Sequence, residues 1–414
     1  MKYPITPDYL ANCPNSIVEL YNWLEEYIIN AICTQLKITG EPNATTLELI
    51  RQLQRRGMPL AEVEKQIKRV LNLSQAELDK VFDDAVKRNN AYYNAAYDKL
   101  GLIQEEAELE QMAAEVDAIK RQTADVMRNI TQSMGFGMRG QDGSIVLSNV
   151  QETYQKILDK AAIKVMSGTE SYNVAIREGV REMTNSGLMG EWVEYRDEEG
   201  NVYHRNRVDV AVRRAVMTGV TQVSSKRAER AAEDFNTPYR EISAHRGARD
   251  VDGPNGWENH KRWQGKVYST KSGDKYPNIY TATGWGTVDG LEGANCRHMH
   301  FPFIEGFSER TYTDEELANI DRPPFEFEGK RYNAYEATQK QRQIERALRA
   351  IKRRLIASKA SGDTDAYTGA AVRYRRLKVE YEAFSKKAEL PLQEERANIA
   401  EFGPKEAREA LKAG

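Results

Sequence analysis

The sequence predicts a mainly α-helical protein with a central α+β domain and long helical regions towards both ends. Capping boxes recur through the first 187 residues, at Ser16–Glu19, Thr45–Glu48 and Ser74–Glu77, each before an apolar run of helical period. Downstream, that period gives way to a stretch rich in Gly, aromatic and His residues. These shifts predict four segments: a helical N-terminal region at 1–187, an α+β core domain at 188–310, a linker at 311–334, and a basic helical hairpin with a tail at 335–414.

Composition limits the class of protein. With 414 residues, of which 40% are hydrophobic and 29% charged, the chain is long enough for two or three domains with large solvated faces. No apolar run approaches the roughly 20 residues that cross a bilayer, and the first residues lack a signal-peptide pattern, so we expect no membrane contact. Three scattered cysteines indicate synthesis in a reducing cytoplasm. The formal net charge of -2 gives the chain as a whole no bias towards nucleic acid, so any such bias must be local.

Two stretches of the N-terminal region carry patterns of their own. From about 76 to 134, glutamates alternate with apolar residues, which predicts a long helical stretch with a solvated, coiled-coil-like face. The segment 135–140 contains three glycines and could be taken for a phosphate-binding loop. However, no predicted strand precedes it and no Gly-Lys-Ser/Thr follows, so we expect a flexible connector.

The central domain opens with strand and turn signals. Residues 192–195 and 201–204 flank an acidic turn centred on Gly200, which predicts a β-hairpin. A long helix from about 209 to 234 and a strand from about 239 to 244 follow. From 245 to 310 there is little periodicity, as expected for loops and short strands around a compact site.

The C-terminal region is helical and locally basic. After Pro323 and Pro324 in the linker comes a short hairpin-like stretch, and a helical pattern starts at Tyr335. From Lys340 to Lys378 twelve basic side chains oppose three acidic ones, a local charge of about +9. The interruption at 361–363 predicts a helical hairpin.

One side of these helices is apolar, which leaves a positive stripe on the other that could follow a nucleic-acid backbone or bind an acidic protein surface. The candidate contact residues are Arg342, Arg346, Arg349, Lys352, Arg353, Arg373, Arg375 and Arg376.

Histidines are concentrated in the central domain. All five lie between His204 and His300, four of them from His245 onward together with Cys296. If 297–303 is a strand, Cys296, His298 and His300 project from one face. Thiolate and imidazole ligands, with His245 or His260 folding over, would then form a tetrahedral zinc site. The alternative is that these side chains bond locally to backbone carbonyls, and the lack of a CxxC spacing favours this alternative.

The same residues permit a catalytic interpretation. His245 or His260 would act as general acid and base, with Arg249, Lys266 or Arg297 stabilising a phosphate transition state, as in metal-independent nucleases. No carboxylate cluster suited to Mg²⁺ is evident in the sequence, and aromatic residues here are more typical of a core than of a cofactor site. We therefore expect no enzymatic activity, no catalytic residues and no cofactor, with the nuclease and the zinc site as alternatives.

Several ordered motifs resemble the phage minor capsid protein type 2 family. They lie at 243–249, at 260–268, at 295–298 and at 302–306, with further similarity at 207–215 and 335–342. The residues that carry the resemblance are His245, Gly247, Arg249, His260, Trp263, Gln264, Gly265, Lys266, Asn295, Cys296, Arg297 and His298. His300 occupies a position where the family is expected to have no fixed histidine.

The resemblance implies a structural protein of a tailed-phage head, made in the bacterial host cytoplasm and held in the interior of the virion head at or near the portal. Its implied partners are the portal protein, the scaffold or major capsid protein and the packaged DNA, and its implied role is to assist head assembly, DNA packaging or ejection. The family is distantly similar to Mu-F-like head-morphogenesis proteins, some of which carry toxin or nuclease domains. That similarity keeps the enzyme alternative open.

Overall fold

A computed structural model describes residues 3–36, 46–140, 143–190, 195–196, 202–204 and 206–413. These residues form a mainly α-helical protein with small antiparallel sheets, which confirms the predicted fold class. Within the described part of the chain, no helix is both long and apolar enough to cross a bilayer.

The helices are α1 (Pro7–Asn12), α2 (Asn15–Gln35), α3 (Thr46–Arg56), α4 (Leu60–Leu100), α5 (Glu106–Gln132), α6 (Val150–Met166), α7 (Tyr172–Ser186), α8 (Val208–Asp234), α9 (His260–Trp263), α10 (Ile279–Thr283), α11 (Asp314–Ala318), α12 (Ala334–Ser361), α13 (Thr364–Ala388), α14 (Glu394–Ala397) and α15 (Pro404–Ala413). The strands are β1 (Gly135–Arg139), β2 (Ile145–Ser148), β3 (Leu188–Met189), β4 (Tyr195–Arg196), β5 (Val202–His204), β6 (Tyr239–Ile242), β7 (Val267–Ser269), β8 (His300–Phe303), β9 (Phe325–Phe327) and β10 (Lys330–Tyr332).

The chain forms two compact units, each assembled from three separate stretches. The first unit comprises Met1–Ser16, Gln75–Met127 and Val212–Lys340, and the second comprises Ile17–Ser74, Arg128–Ala211 and Gln341–Gly414. The consecutive segments predicted from the sequence do not coincide with these units. Helical periodicity predicts where helices lie, but it does not predict which distant helices pack together.

The first unit is built on a three-stranded sheet of order β7-β6-β8. Both neighbours pair antiparallel with β6, so that Arg240 lies opposite Tyr268 on one side and Pro302 on the other. Two residues of the sheet, Ile242 and Tyr268, belong to an apolar cluster that also includes Trp263, Ile279, Leu291 and Cys296. In the helical part of this unit, Asn89 of α4 donates to Ser224 of α8 over 3.0 Å in a buried contact. The predicted motif residues therefore lie in the segments that flank these three strands, and not in the strands themselves.

The second unit has a buried network of charges. Arg207 donates to both oxygens of Glu25 in α2, at 2.8 and 3.0 Å, and Arg353 of α12 lies 2.7 Å from the same carboxylate. Asp209 at the start of α8 pairs with Arg349 of α12 at 2.6 Å and with Arg207 at 3.3 Å. Arg353 is only 1% exposed, so these ions are separated from water and depend on one another.

Two local predictions change in the structure. Residues 135–139 form β1, the central strand of a sheet of order β2-β1-β3, so the prediction of a flexible connector is wrong. Phe136 and Met138 are buried there, and the strands that satisfy the backbone come from 145–148 and 188–189, which local sequence does not reveal. The long helical stretch predicted from 76 to 134 is two helices, α4 and α5, interrupted at 101–105.

Other predicted elements are confirmed. β4 and β5 pair antiparallel as a hairpin, although 192–194 and the turn at Gly200 lie outside the described residues. α8 and β6 appear where they were predicted, and β9 and β10 form the hairpin expected within 311–334. α12 ends at Ser361, and the carboxylate of Asp363 accepts from the N–H of Ala366 as the N-cap of α13. This confirms the predicted break between the two basic helices.

Removing one buried arginine should show how far the stability of the second unit depends on its buried charges. We expect Arg353→Met to cost about 2 kcal/mol of stability, because the buried Glu25 carboxylate loses one of its two arginine partners. The matched change Arg346→Met, at an exposed position of the same helix, should cost less than about 0.5 kcal/mol. Thermal unfolding of both variants measures the difference, and equal melting midpoints would contradict the role of the network.

A second buried carboxyl makes stability depend on pH. Burial raises the pKa of Glu26 from its usual 4.5 to about 8, although the carboxylate accepts the Glu401 N–H over 2.8 Å. Because the folded state favours the protonated form, the free energy of unfolding should fall as pH rises from about 4.5 through 8. Glu26→Gln should abolish that fall, a difference on the order of a few kcal/mol above pH 8.

The control is Glu19→Gln, which removes an exposed carboxyl from the same helix. Its profile of melting temperature against pH should follow that of the natural chain. A Glu26→Gln profile that also follows the natural chain would show that Glu26 is not the cause.

Candidate functional site

Three of the predicted site residues meet in the first unit. His260 is the first residue of α9, whereas Cys296 and His298 lie in the loop that leads into β8. One ligand atom from each of the three lies within 4.8 Å of the others. His260 is 3% exposed, His298 1% and Cys296 5%. The fold therefore gathers two imidazoles and a thiol in a buried polar cluster, which we call the His-Cys cluster.

Within the His-Cys cluster, both imidazoles face the sulfur through the same ring atom. Nδ1 of His260 lies 3.7 Å from Sγ of Cys296, and Nδ1 of His298 lies 3.5 Å from it. The backbone N–H of His298 also donates to this sulfur, at 3.4 Å. Sulfur is thus the common neighbour of all three nitrogen atoms.

Oxygen acceptors hold the other nitrogen of each ring. Nε2 of His260 lies 2.9 Å from the carbonyl of Asp289, and Nε2 of His298 lies 3.0 Å from Oε1 of Gln264. A carbonyl only accepts, so Nε2 of His260 carries the proton. Gln264 Oε1 also accepts the backbone N–H of His245 at 3.0 Å, which fixes the orientation of the amide and makes Nε2 of His298 the donor.

Burial determines the protonation of the cluster. It lowers the pKa of His260 to about 4. It also lowers the pKa of His298 well below its usual range, assisted by the nearby positive charge of Arg297 and Arg249. For Cys296, burial raises the thiol pKa to about 11. At neutral pH both imidazoles are therefore neutral, and the metal-free thiol keeps its proton.

His245 lies beside the cluster and not in it. Its ring stacks on that of His298 with centroids 4.4 Å apart, and it is only partly buried. Its Nδ1 lies 3.0 Å from the carbonyl of Arg246 and 3.1 Å from Nη2 of Arg297. Nδ1 of His245 therefore already has partners outside the cluster. This disfavours the zinc alternative in which His245 is a ligand.

The prediction that His300 shares a face with Cys296 and His298 is wrong. The strand begins only at His300, so the three residues do not alternate along it. His300 is fully buried between two carboxylates, with Nδ1 2.7 Å from Glu292 and Nε2 3.0 Å from Glu229. These carboxylates raise its pKa to about 9 despite the opposing effect of burial. It is a buried imidazolium in an ion pair, and sequence spacing carried no signal for either partner.

The remaining motif residues support the cluster or lie at the surface. Trp263 packs on His260, with ring centroids 4.5 Å apart, and its indole donates to the carbonyl of Trp257 over 2.7 Å. Arg249 donates to the carbonyl of Asp289 over 3.2 Å, the oxygen that also accepts from His260. Sequence reasoning missed this carbonyl, because a backbone acceptor has no side-chain signature.

Gly247, Lys266 and Asn295 lie outside the His-Cys cluster. The N–H of Gly247 donates to Asp321 over 2.8 Å. Lys266 is exposed and donates to the carbonyl of Arg262 over 2.8 Å, and Asn295 is exposed with φ 60°. None of these contacts presents a group to the His-Cys cluster, so the geometry gives Lys266 no phosphate-binding role there.

The predicted basic stripe divides into buried and exposed members. Arg349 and Arg353 belong to the charge network of the second unit, and Lys352 is buried with its ammonium 2.8 Å from the carbonyl of Ala397. These three do not belong to an exposed stripe, because an acidic side chain or a carbonyl inside the unit already binds each one. Arg342 is half-buried, whereas the exposed members are Arg346, Arg373, Arg375 and Arg376.

Comparison with known proteins identifies the class as structural proteins of phages. A structural protein of Lactococcus phage LL-H is 23% identical over 362 residues, which cover 84% of this chain and 88% of that protein. A structural protein of Lactococcus phage mv4 is 33% identical over 107 residues, covering 25% of this chain and 77% of that protein. No solved structure matches the chain.

The family model for phage minor capsid protein 2 matches residues 5–385. The chain therefore belongs to the phage minor capsid protein 2 family, and the resemblance predicted from the ordered motifs is confirmed. It is a structural protein of a phage virion, which implies that it binds other virion components.

Gly265 follows Gln264, which holds His298, and has a backbone conformation that favours glycine. Its φ is +70°, and an added Cβ would lie 3.2 Å from Cβ of Ala244 and would clash with Leu317. Gly273 has nearly the same φ, +73°, but open space around it. We expect Gly265→Ala to cost about 1 kcal/mol more than Gly273→Ala, since only the first adds crowding to the shared backbone strain. Thermal unfolding compares the two, and equal losses would show that packing at Gly265 does not matter.

Proposed function

We propose that this protein is a low-copy component of the phage head, attached at or near the portal in the head interior. In this proposal it assists head assembly, DNA packaging or ejection, and its partners are the portal protein and the scaffold or major capsid protein. The membership in the minor capsid family and the similarity to phage structural proteins support a place in the virion. The exposed positive charge of α12 and α13 supports an orientation in which these helices face the packaged DNA.

The exposed arginines of α13 are the observation that carries this orientation. Tyr374 is buried, whereas Arg373 and Arg376 are exposed, so the helix is anchored by one side and keeps basic side chains in solvent. Close arginines at a surface release counterions when they bind phosphates or an acidic protein face. Packaged DNA is the phosphate-rich partner that a protein inside the head would meet.

The proposed role is structural and not enzymatic. A general acid or base must reach the proton it transfers in the substrate. His260 and His298 are buried and already bonded to Asp289 and Gln264, so a polynucleotide backbone has no access to them. The geometry of the site thus favours the structural role over the nuclease alternative.

Co-expression with the portal protein of the same phage tests the attachment. We expect the two proteins to purify together, and cryo-electron microscopy of native heads should show density for this chain at the portal vertex. Heads that contain the protein by mass spectrometry but lack such density would overturn the portal assignment, leaving the family membership intact.

DNA binding has its own test in the full-length chain. We expect duplex DNA affinity to fall steeply with salt, and the combined change of Arg346, Arg373 and Arg376 to Gln should reduce the slope of log K against log salt by about 3. Each lost phosphate contact removes about one released counterion.

The matched control changes Arg51, Arg55 and Arg56, exposed residues of α3, to Gln. Both variants lose three positive charges, so a general charge effect would lower the slope equally in both. An effect confined to the α12–α13 variant supports the proposed DNA-facing surface. Equal effects, or no effect in either, would contradict it.

A further inference from the structure

We propose that His260, Cys296 and His298 form a zinc-binding site in the first unit. This inference goes beyond the structural role in the virion and does not depend on portal attachment. It rests on the spacing of the three ligand atoms, on the orientation of the two imidazoles, and on the groups that hold those imidazoles in place.

The distances fit a tetrahedral metal centre. With zinc–sulfur bonds of about 2.3 Å and zinc–nitrogen bonds of about 2.0–2.1 Å, a tetrahedral site keeps its sulfur and nitrogen ligands about 3.5 Å apart. The two Nδ1 atoms lie 3.7 and 3.5 Å from Sγ of Cys296. A shared metal ion therefore fits these two edges with little rearrangement.

The proton count leaves a place for a cation. Both rings carry their proton on Nε2, so each presents an unprotonated Nδ1 to the same sulfur. A thiol has one hydrogen and can donate it to only one of these two acceptors. A divalent cation bonded to the thiolate would accept both lone pairs at once, whereas the metal-free cluster leaves one buried nitrogen without a donor.

The surroundings of the ligands match those of established metal sites. Metal-bound histidines usually donate their second N–H to a carbonyl or carboxylate, which fixes ring orientation. Here Asp289 supplies a backbone carbonyl to His260, and Gln264 supplies a side-chain oxygen to His298. The backbone N–H of His298 points at Sγ from 3.4 Å, a contact that stabilises a thiolate.

The donor set selects the metal. One sulfur and two imidazoles favour zinc over the hard ions Mg²⁺ and Ca²⁺, which prefer oxygen ligands. Three protein ligands leave the fourth tetrahedral position to a water molecule. Because the ligands come from α9 and from the loop before β8, the ion would join two segments of one core and stabilise the first unit.

The experiment uses the full-length chain, purified under reducing conditions, stripped with a chelator and dialysed against zinc or cobalt(II). We expect one zinc per chain by elemental analysis, a melting temperature that rises on zinc addition, and a sulfur-to-cobalt charge-transfer band. Cys296→Ser should lose the band and the rise in melting temperature. The matched control, Cys33→Ser, removes another buried thiol in the second unit and should retain both.

If Cys296→Ser fails to fold, measurements on the natural chain still test the proposed zinc site. Bound zinc should protect Cys296 from alkylation, located by peptide mass spectrometry, and removal of zinc should restore its reactivity. A folded natural chain that binds neither zinc nor cobalt would overturn the proposal. So would a cobalt band that survives in folded Cys296→Ser or disappears in Cys33→Ser. Each of these outcomes leaves the portal and DNA proposals untouched.

Discussion

The buried charges of Glu25, Arg207, Asp209, Arg349 and Arg353 are the constraint on which the second unit depends. Three guanidinium groups share two carboxylates, and Glu25 also accepts the backbone N–H of Leu188 at 2.6 Å. Apolar residues of similar size could fill this space, but they would tolerate several packings of the helices. Charges that must be paired away from water permit far fewer, so these ion pairs restrict how α2, α12 and the start of α8 can pack together.

Prediction from the sequence succeeded where the signal is local. Capping residues, helical period and turn chemistry located α8, the α12–α13 break and the β9–β10 hairpin, because each depends on neighbours a few residues away. It failed where the partner is distant. Arg353 looks like a surface residue in its own helix, and only Glu25, 328 positions earlier, shows why it is buried. The strand at 135–139 was missed for the same reason.

The candidate site follows the same division. Ordered motifs brought His260, Cys296 and His298 into consideration, and the fold places them together. The spacing rule that also included His300 assumed a strand beginning at 297, three residues before β8 begins. The groups that orient the cluster are a carbonyl at Asp289 and a side-chain amide at Gln264. A backbone carbonyl has no signature in a sequence, and the role of Gln264 is visible only when its neighbour His298 is known. Geometry thus supplied the roles, whereas the sequence supplied the candidates.

The division of each unit into three separate stretches has a consequence for synthesis. A ribosome produces Glu25 long before Arg353, and it completes the N-terminal stretches of both units before their C-terminal stretches exist. Contacts of such long sequence separation slow folding, and an incomplete chain exposes apolar helix faces. Neither unit can close until most of the polypeptide has left the ribosome. During that interval, host chaperones or an early virion partner would be the natural protection against aggregation and proteolysis.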